Sequence, residues 1–177
     1  MIVADRDGWI DGARRIDSPN QDTRPAQTTI SMIVVHAISL PPAHFGSDDI
    51  VRLFTNTLDP AAHPYFSQIS ALRVSAHFLI RRDGELIQFV ACEKRAWHAG
   101  ASSWQGRERC NDFSIGVELE GCDDQPFEDL QYRQLVALLV ALRKRYPIEV
   151  VVGHSDIAPG RKTDPGPCFD WLRLSRI

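Results

Sequence analysis

Between Ile30 and Ile38 the chain reads Ile-Ser-Met-Ile-Val-Val-His-Ala-Ile. β-Branched residues fill the middle of this run, the pattern of a strand buried on both faces. Such a strand is stable only inside a covered sheet, so it commits the chain to layers of helix packed on strand. The run ends at His36 and the turn residues Pro41 and Pro42.

The remaining elements follow from local pattern. Ser47, Asp48 and Asp49 before Ile50, Val51, Leu53 and Phe54 predict an N-capped helix of about two turns, bracketed by Pro60 and Pro64. Val74 to Arg81 alternates as a strand, Arg82-Asp83-Gly84-Glu85 supplies a hairpin turn, and Leu86 to Val90 returns beside it. Phe113 to Leu119 predicts another strand. It places Glu118 and Glu120 on one side, because side chains repeat every two residues, and one of these acids belongs near the functional face. From Glu128 to Tyr146, Leu135, Leu138, Leu139, Leu142 and Tyr146 fall at helical offsets, with acids at the start and Arg143, Lys144 and Arg145 at the end. Pro147 stops that helix, Ile148 to Val152 predicts a last buried strand, and Gly153 to Cys168 has the composition of a loop. Residues 1–25 are polar and proline-punctuated, which predicts a loosely structured lead-in on the surface. The expectation is an α/β fold, one domain over 1–177, with a central mixed β-sheet flanked by helices.

Composition narrows the function classes. With 177 residues and 44% apolar content the chain can bury a core without disulfides. Twenty basic against 23 acidic residues give a net charge of -3, which speaks against a nucleic-acid-binding surface by bulk charge. The longest apolar run, Leu135 to Leu142, is far short of the roughly 20 residues that span a bilayer. Asp5, Arg6, Asp7 and Asp11 interrupt the first 17 residues, so no secretory signal is legible and a cytoplasmic protein is expected. Cys92, Cys110, Cys122 and Cys168 show no close pairing and read as free thiols. Nothing in the sequence calls for an obligate protein partner.

The histidines carry the chemistry. His36 and His154 both sit where predicted strands end, positions from which a rigid scaffold presents side chains to a cleft. Either alone reads as readily as a hydrogen-bonded core residue. Asp164 stands ten positions beyond His154, in a loop stiffened by Pro165 and Pro167. Two imidazoles and a carboxylate form a three-ligand set suited to catalytic zinc, with the fourth tetrahedral position left for water. Zinc lowers the pKa of bound water from about 16 toward about 7 and polarises a carbonyl, which points to amide or ester hydrolysis. That chemistry wants a base and an oxyanion-binding cation. Glu118, framed by Ile115, Val117 and Leu119, and Lys162, two residues before Asp164, fit these roles; a solvent-facing acid and a surface lysine are the bland alternatives.

Several longer segments carry a resemblance: Val-Val-His36 with Ser39-Leu-Pro-Pro, His63-Pro-Tyr-Phe66, the stretch from Arg73 to Gly84, Lys94-Arg-Ala-Trp-His-Ala-Gly100, Gln105 to Gly121, and Gly153-His154 through Pro167. In this order they resemble the N-acetylmuramoyl-L-alanine amidase family, which includes phage amidases and the peptidoglycan recognition proteins, over nearly the whole chain. The resemblance implies a zinc-dependent amidase that cleaves between the lactyl group of anhydro-N-acetylmuramic acid and L-alanine of the stem peptide, in cytosolic peptidoglycan recycling. It places the metal on His36, His154 and Asp164, the water-activating acid on Glu118 rather than Glu120, and the oxyanion lysine at Lys162. It further implies substrate contacts at Tyr65, Arg73, His77, Trp97 and Arg109, with His98 beside Trp97 at a sugar face. The partner is then a small soluble anhydro-muropeptide, with no membrane or nucleic acid involved. Attack on intact wall, or binding without cleavage, are the alternatives. Ala37 stands where relatives carry asparagine, and Cys168 is a bystander to the metal set.

Overall fold

The computed structural model describes residues 5–174. In chain order the strands and helices are β1 (Arg14–Arg15), β2 (Gln21–Thr23), β3 (Met32–Ile38), α1 (Asp49–Phe54), α2 (Phe66–Ile69), β4 (Phe78–Ile80) and β5 (Leu86–Gln88), followed by β6 (Lys94–Ala96), β7 (Ser103–Trp104), β8 (Arg107–Glu108), β9 (Ser114–Glu120), α3 (Asp129–Arg145), β10 (Val150–Gly153) and α4 (His154–Ile157). Six strands form one sheet in the order β1-β5-β4-β9-β3-β10. All neighbours run parallel except the β4–β5 hairpin. This is the expected mixed sheet.

The β-branched run behaves as its composition demands. Met32 to His36 are all buried, and β3 lies between β9 and β10. Alternation along β3 and β9 divides the core. Ile33, Val35, Ile115, Val117 and Leu119 pack with Leu135, Leu138, Leu139 and Leu142 of α3. On the other side, Met32 and Val34 pack with Ala99, Phe113 and Ile157, while Leu79 and Ile87 meet Leu53, Phe54 and Phe66 of α1 and α2. The start of α3 is fixed by Gln131, whose Oε1 accepts the Glu128 N–H at 3.0 Å. Its Nε2 donates to the carbonyls of Ile80 and Glu120, tying the helix to the ends of β4 and β9. Gly84 holds the hairpin turn at φ +87°, a left-handed conformation that glycine adopts without strain.

Two expectations change. Within the described part of the lead-in, residues 5–25 are not loose: β1 extends the sheet beside β5, and β2 pairs with β6. Asn20 and Arg24 there are buried. The guanidinium of Arg24 donates to the carbonyls of Cys92, Asn111, Asp112 and Ser114, so main-chain acceptors stand in for the apolar contacts that composition would have required. The second change is within 153–168, where one helical turn, α4, follows β10 directly.

Candidate active site

The site grows from strand register. His36 on β3 lies directly opposite Glu118 on the parallel strand β9, so the two side chains leave the sheet on the same face. On the other neighbour, Gly153 of β10 is opposite Val35, and the next residue, His154, begins α4 beside His36. The three residues therefore form a row at the carboxyl ends of parallel strands, where open α/β sheets place their clefts. Asp164 is brought in from the loop, whose main chain is fastened by the Ser155 N–H donating to the Asp164 carbonyl at 2.9 Å.

At the centre, His36 Nδ1 and His154 Nδ1 are 3.0 Å apart, and Asp164 Oδ2 lies 3.1 Å from the first and 3.0 Å from the second. The far nitrogen of His154, Nε2, is 3.1 Å from the Ala99 carbonyl, which can only accept. A neutral His154 therefore carries its proton on Nε2 and turns a bare Nδ1 to the centre. Tetrahedral zinc with ligand distances of about 2.0 Å sets its ligands about 3.3 Å apart, close to the spacing of these three atoms. The residues fit the metal.

The electrostatics fit as well. Burial pushes His36 down to about 4, keeping the imidazole neutral at ordinary pH. Glu118 goes the other way. Burial, reinforced by the charge of Asp164 and only partly opposed by Lys162, raises it well above its ordinary value. Its Oε2 is buried with no hydrogen-bond partner. Glu120 is already committed, accepting from the Gly46 N–H at 2.6 Å and the Arg82 N–H at 3.3 Å.

His36, Glu118, His154, Lys162 and Asp164 open into a cleft of about 430 Å³ whose other walls include Phe54, Tyr65, Ile69, Leu72 and Trp97. A model of the N-acetylmuramoyl-L-alanine amidase family matches residues 26–167. The chain belongs to that family. It is 60% identical over 169 residues to the 1,6-anhydro-N-acetylmuramyl-L-alanine amidase AmpD of Escherichia coli K12, which covers 94% of this chain and 92% of that protein. A crystal structure of a Se-Met AmpD derivative superposes with a TM-score of 0.96 at 59% identity over 98% of both chains. The Escherichia coli amidase AmiD, in complex with the substrate anhydro-N-acetylmuramic acid-L-Ala-D-gamma-Glu-L-Lys, superposes at a TM-score of 0.62 with 31% identity, over 99% of this chain and 65% of that one.

In this amidase the residues expected at the substrate separate into three groups. Tyr65 and Trp97 line the cleft that holds His36, His154 and Asp164. Arg73 is exposed, between the cleft residues Leu72 and Val74, and donates to the carbonyls of Ser70, Ala71 and Leu72. Arg109 lines a separate cleft of about 500 Å³ together with Ser102, Glu108 and Arg161, and its Nε lies 3.4 Å from Asp112.

His77 corrects the expectation. It is fully buried; its Nδ1 accepts the Gly116 N–H at 3.0 Å and its Nε2 faces the Lys94 carbonyl at 3.1 Å. Burial, and then the charge of Arg24, push it down to about 3. It stands just before β4, enclosed by main chain at both ring nitrogens, which leaves no polar atom for a substrate.

His98 is also placed differently from the sugar-stacking expectation. It borders the cleft, but its Nδ1 lies 2.9 Å from His36 Nε2 and its Nε2 3.2 Å from Ser114 Oγ. Arg161, which the sequence left unremarked, donates to the carbonyls of Ala99 and Ala101 and so fixes the segment that holds His154. All four cysteines are free, and the metal set forms without Cys168. Among the described residues no helix is long and apolar enough to cross a membrane.

Proposed function

We propose that this amidase hydrolyses the amide bond between the lactyl group of 1,6-anhydro-N-acetylmuramic acid and L-alanine of the stem peptide, using zinc held by His36, His154 and Asp164. The carrying observation is the triangle of two imidazole nitrogens and a carboxylate oxygen, 3.0–3.1 Å on a side, next to a buried Glu118 with an unpaired oxygen. Bound zinc would supply a Lewis acid that acidifies water and polarises a carbonyl.

The side chains divide the remaining work. Glu118, its pKa raised by burial, takes a proton from the attacking water and returns one to the departing alanine nitrogen. The Lys162 ammonium offsets the negative charge that gathers on the carbonyl oxygen. Tyr65 and Trp97 offer ring faces to the sugar. Arg73 and Arg109 offer guanidinium forks to the carboxylates of the stem.

The substrate assignment rests on the relatives: AmpD is named for the anhydro sugar, and AmiD is solved with an anhydro-muropeptide bound. A small soluble fragment of this kind goes with a cytoplasmic setting and with a net charge of -3, which gives no general attraction to an anionic polymer.

Mass spectrometry of the products from a purified anhydro-muropeptide tests the proposal. Release of free stem peptide and anhydro sugar, abolished by a chelator and restored by zinc, is the expected result. No cleavage, or cleavage indifferent to the chelator, overturns it. Polymeric peptidoglycan assayed in parallel distinguishes action on fragments from action on the wall.

A further inference from the structure

The metal ligand His36 has a second side, and what stands behind it is ordered. Its Nε2 faces His98 Nδ1 at 2.9 Å, with the two rings edge to face at 84°. His98 Nε2 faces Ser114 Oγ at 3.2 Å, and Ser114 Oγ lies 2.6 Å from the carbonyl oxygen of Cys110. The far end fixes the direction of the whole series. A carbonyl oxygen can only accept, so the serine hydroxyl donates to it. With its single hydrogen spent, Ser114 Oγ accepts from His98 Nε2–H. The neutral His98 ring then has a bare Nδ1, which accepts His36 Nε2–H. His36 is left with no hydrogen on Nδ1, the atom that faces His154 and Asp164.

The surroundings hold His98 in this place. The N–H groups of His98 and Ala99 donate to Asn111 Oδ1 at 3.1 and 2.8 Å, which anchors the main chain beside the ring. The ring lies on Gly116 of β9, where an added Cβ would come within 2.4 Å of His98 Cγ. A side chain at that position would displace the imidazole.

We propose that His98 and Ser114 are positioning residues for the metal centre, which transmit the acceptor character of the Cys110 carbonyl through three directed hydrogen bonds so that His36 presents a lone pair, not a proton, to the metal. The proposal rests on the zinc reading above and deepens it. Run in reverse, the same atoms would have Ser114 donating to His98, His98 Nδ1–H donating to His36 Nε2, and a proton on His36 Nδ1 where the metal binds. The contact of 2.6 Å to Cys110, shorter than that of 3.2 Å to His98, marks the first order as the one built into the fold. Outer partners of metal-bound imidazoles commonly contribute about 10–100-fold in metal affinity, which sets the scale of the effect.

Zinc affinity, measured by competition with a chromophoric chelator, is the first readout. Leucine and asparagine have nearly the same shape, so His98→Leu and His98→Asn remove the ring equally, and only asparagine can accept from His36 Nε2–H. His98→Leu should weaken zinc by about 10–100-fold and His98→Asn should recover most of that loss. If both lose affinity equally, or the leucine variant binds more tightly, His98 only fills space and the proposal fails. Ser114→Ala should weaken zinc by roughly tenfold; unchanged affinity removes the serine from the relay.

The second readout needs no variant. Long-range proton–nitrogen NMR on the zinc-loaded and metal-free protein should show His98 protonated on Nε2 in both, whereas a proton on its Nδ1 in the metal-free protein overturns the direction assigned here. If the wild-type protein binds no zinc, the metal reading itself fails; if it binds zinc but His98→Leu and His98→Asn match, only the relay fails.

Discussion

The two faces of β9 are equally buried and work by different rules. On the α3 side, Ile115, Val117 and Leu119 meet four leucines, and what matters is volume. On the other side stand Ser114, Gly116, Glu118 and Glu120, all enclosed as well, and what matters is which atom carries each proton. Burying a large apolar side chain stabilises by about 1.5–3 kcal/mol whatever its orientation. A buried polar group contributes only when its partner is correctly aimed, and costs when it is not. One strand thus carries a tolerant face and an exacting face, separated by its own alternation.

The contrast is easiest to break at Glu118. Glu118→Gln keeps the shape and the surrounding ligands but cannot exchange the proton. It should retain zinc and lose about 10²–10⁴-fold in turnover, read from steady-state rates beside elemental analysis. Near wild-type turnover would remove Glu118 from the chemistry.

Next in size is a change on the other face. Leu138→Ala, at a fully buried position on α3, should lower stability by about 2–5 kcal/mol in chemical denaturation, with zinc affinity unmoved. A variant that also lost zinc would show that the faces are coupled.

Gly116→Ala tests the exacting face with a single methyl group. Because the new Cβ collides with His98, zinc affinity should fall on the roughly 10–100-fold scale expected for a displaced outer partner, in chelator competition. The same alanine would be mild if only the backbone of β9 mattered, since Gly116 does not need a left-handed conformation.

The smallest effect is expected at Ala37, half-buried at the cleft and following His36. Ala37→Asn supplies the amide that the family resemblance leads one to expect there, and one added hydrogen bond of about 1 kcal/mol should lower KM roughly fivefold with kcat little changed. No change in KM would mean that the amide meets no substrate in this protein.

The tolerant face was legible and the exacting one only in part. Periodicity found β3, the β4–β5 hairpin and α3 because apolar spacing reports burial directly. It also singled out His36 and His154, which stand where apolar runs end, and narrowed the acid to Glu118 or Glu120, a choice that only the resemblance made. His98 was noticed only as a neighbour of Trp97, and Ser114 not at all. Their relation to His36 depends on a loop lying across Gly116, which no spacing encodes. His77 misled because a resemblance carries over residue type and position, and not whether the ring faces a cleft or a main-chain N–H. The strands β1 and β2 escaped because they have only two and three residues, and Arg24 is satisfied by carbonyls instead of by apolar neighbours.

Arg24 bears on how this protein can be divided. Its guanidinium grips Asn111, Asp112 and Ser114, the turn and strand start that also hold the Cys110 carbonyl, the Asn111 amide and the Ser114 hydroxyl behind His36. The family match begins two residues later, at residue 26. A chain trimmed to that boundary would keep His36, His154 and Asp164 and lose the clamp on the floor beneath them. The stretch that the family match covers is therefore shorter than the stretch that braces the proposed zinc site.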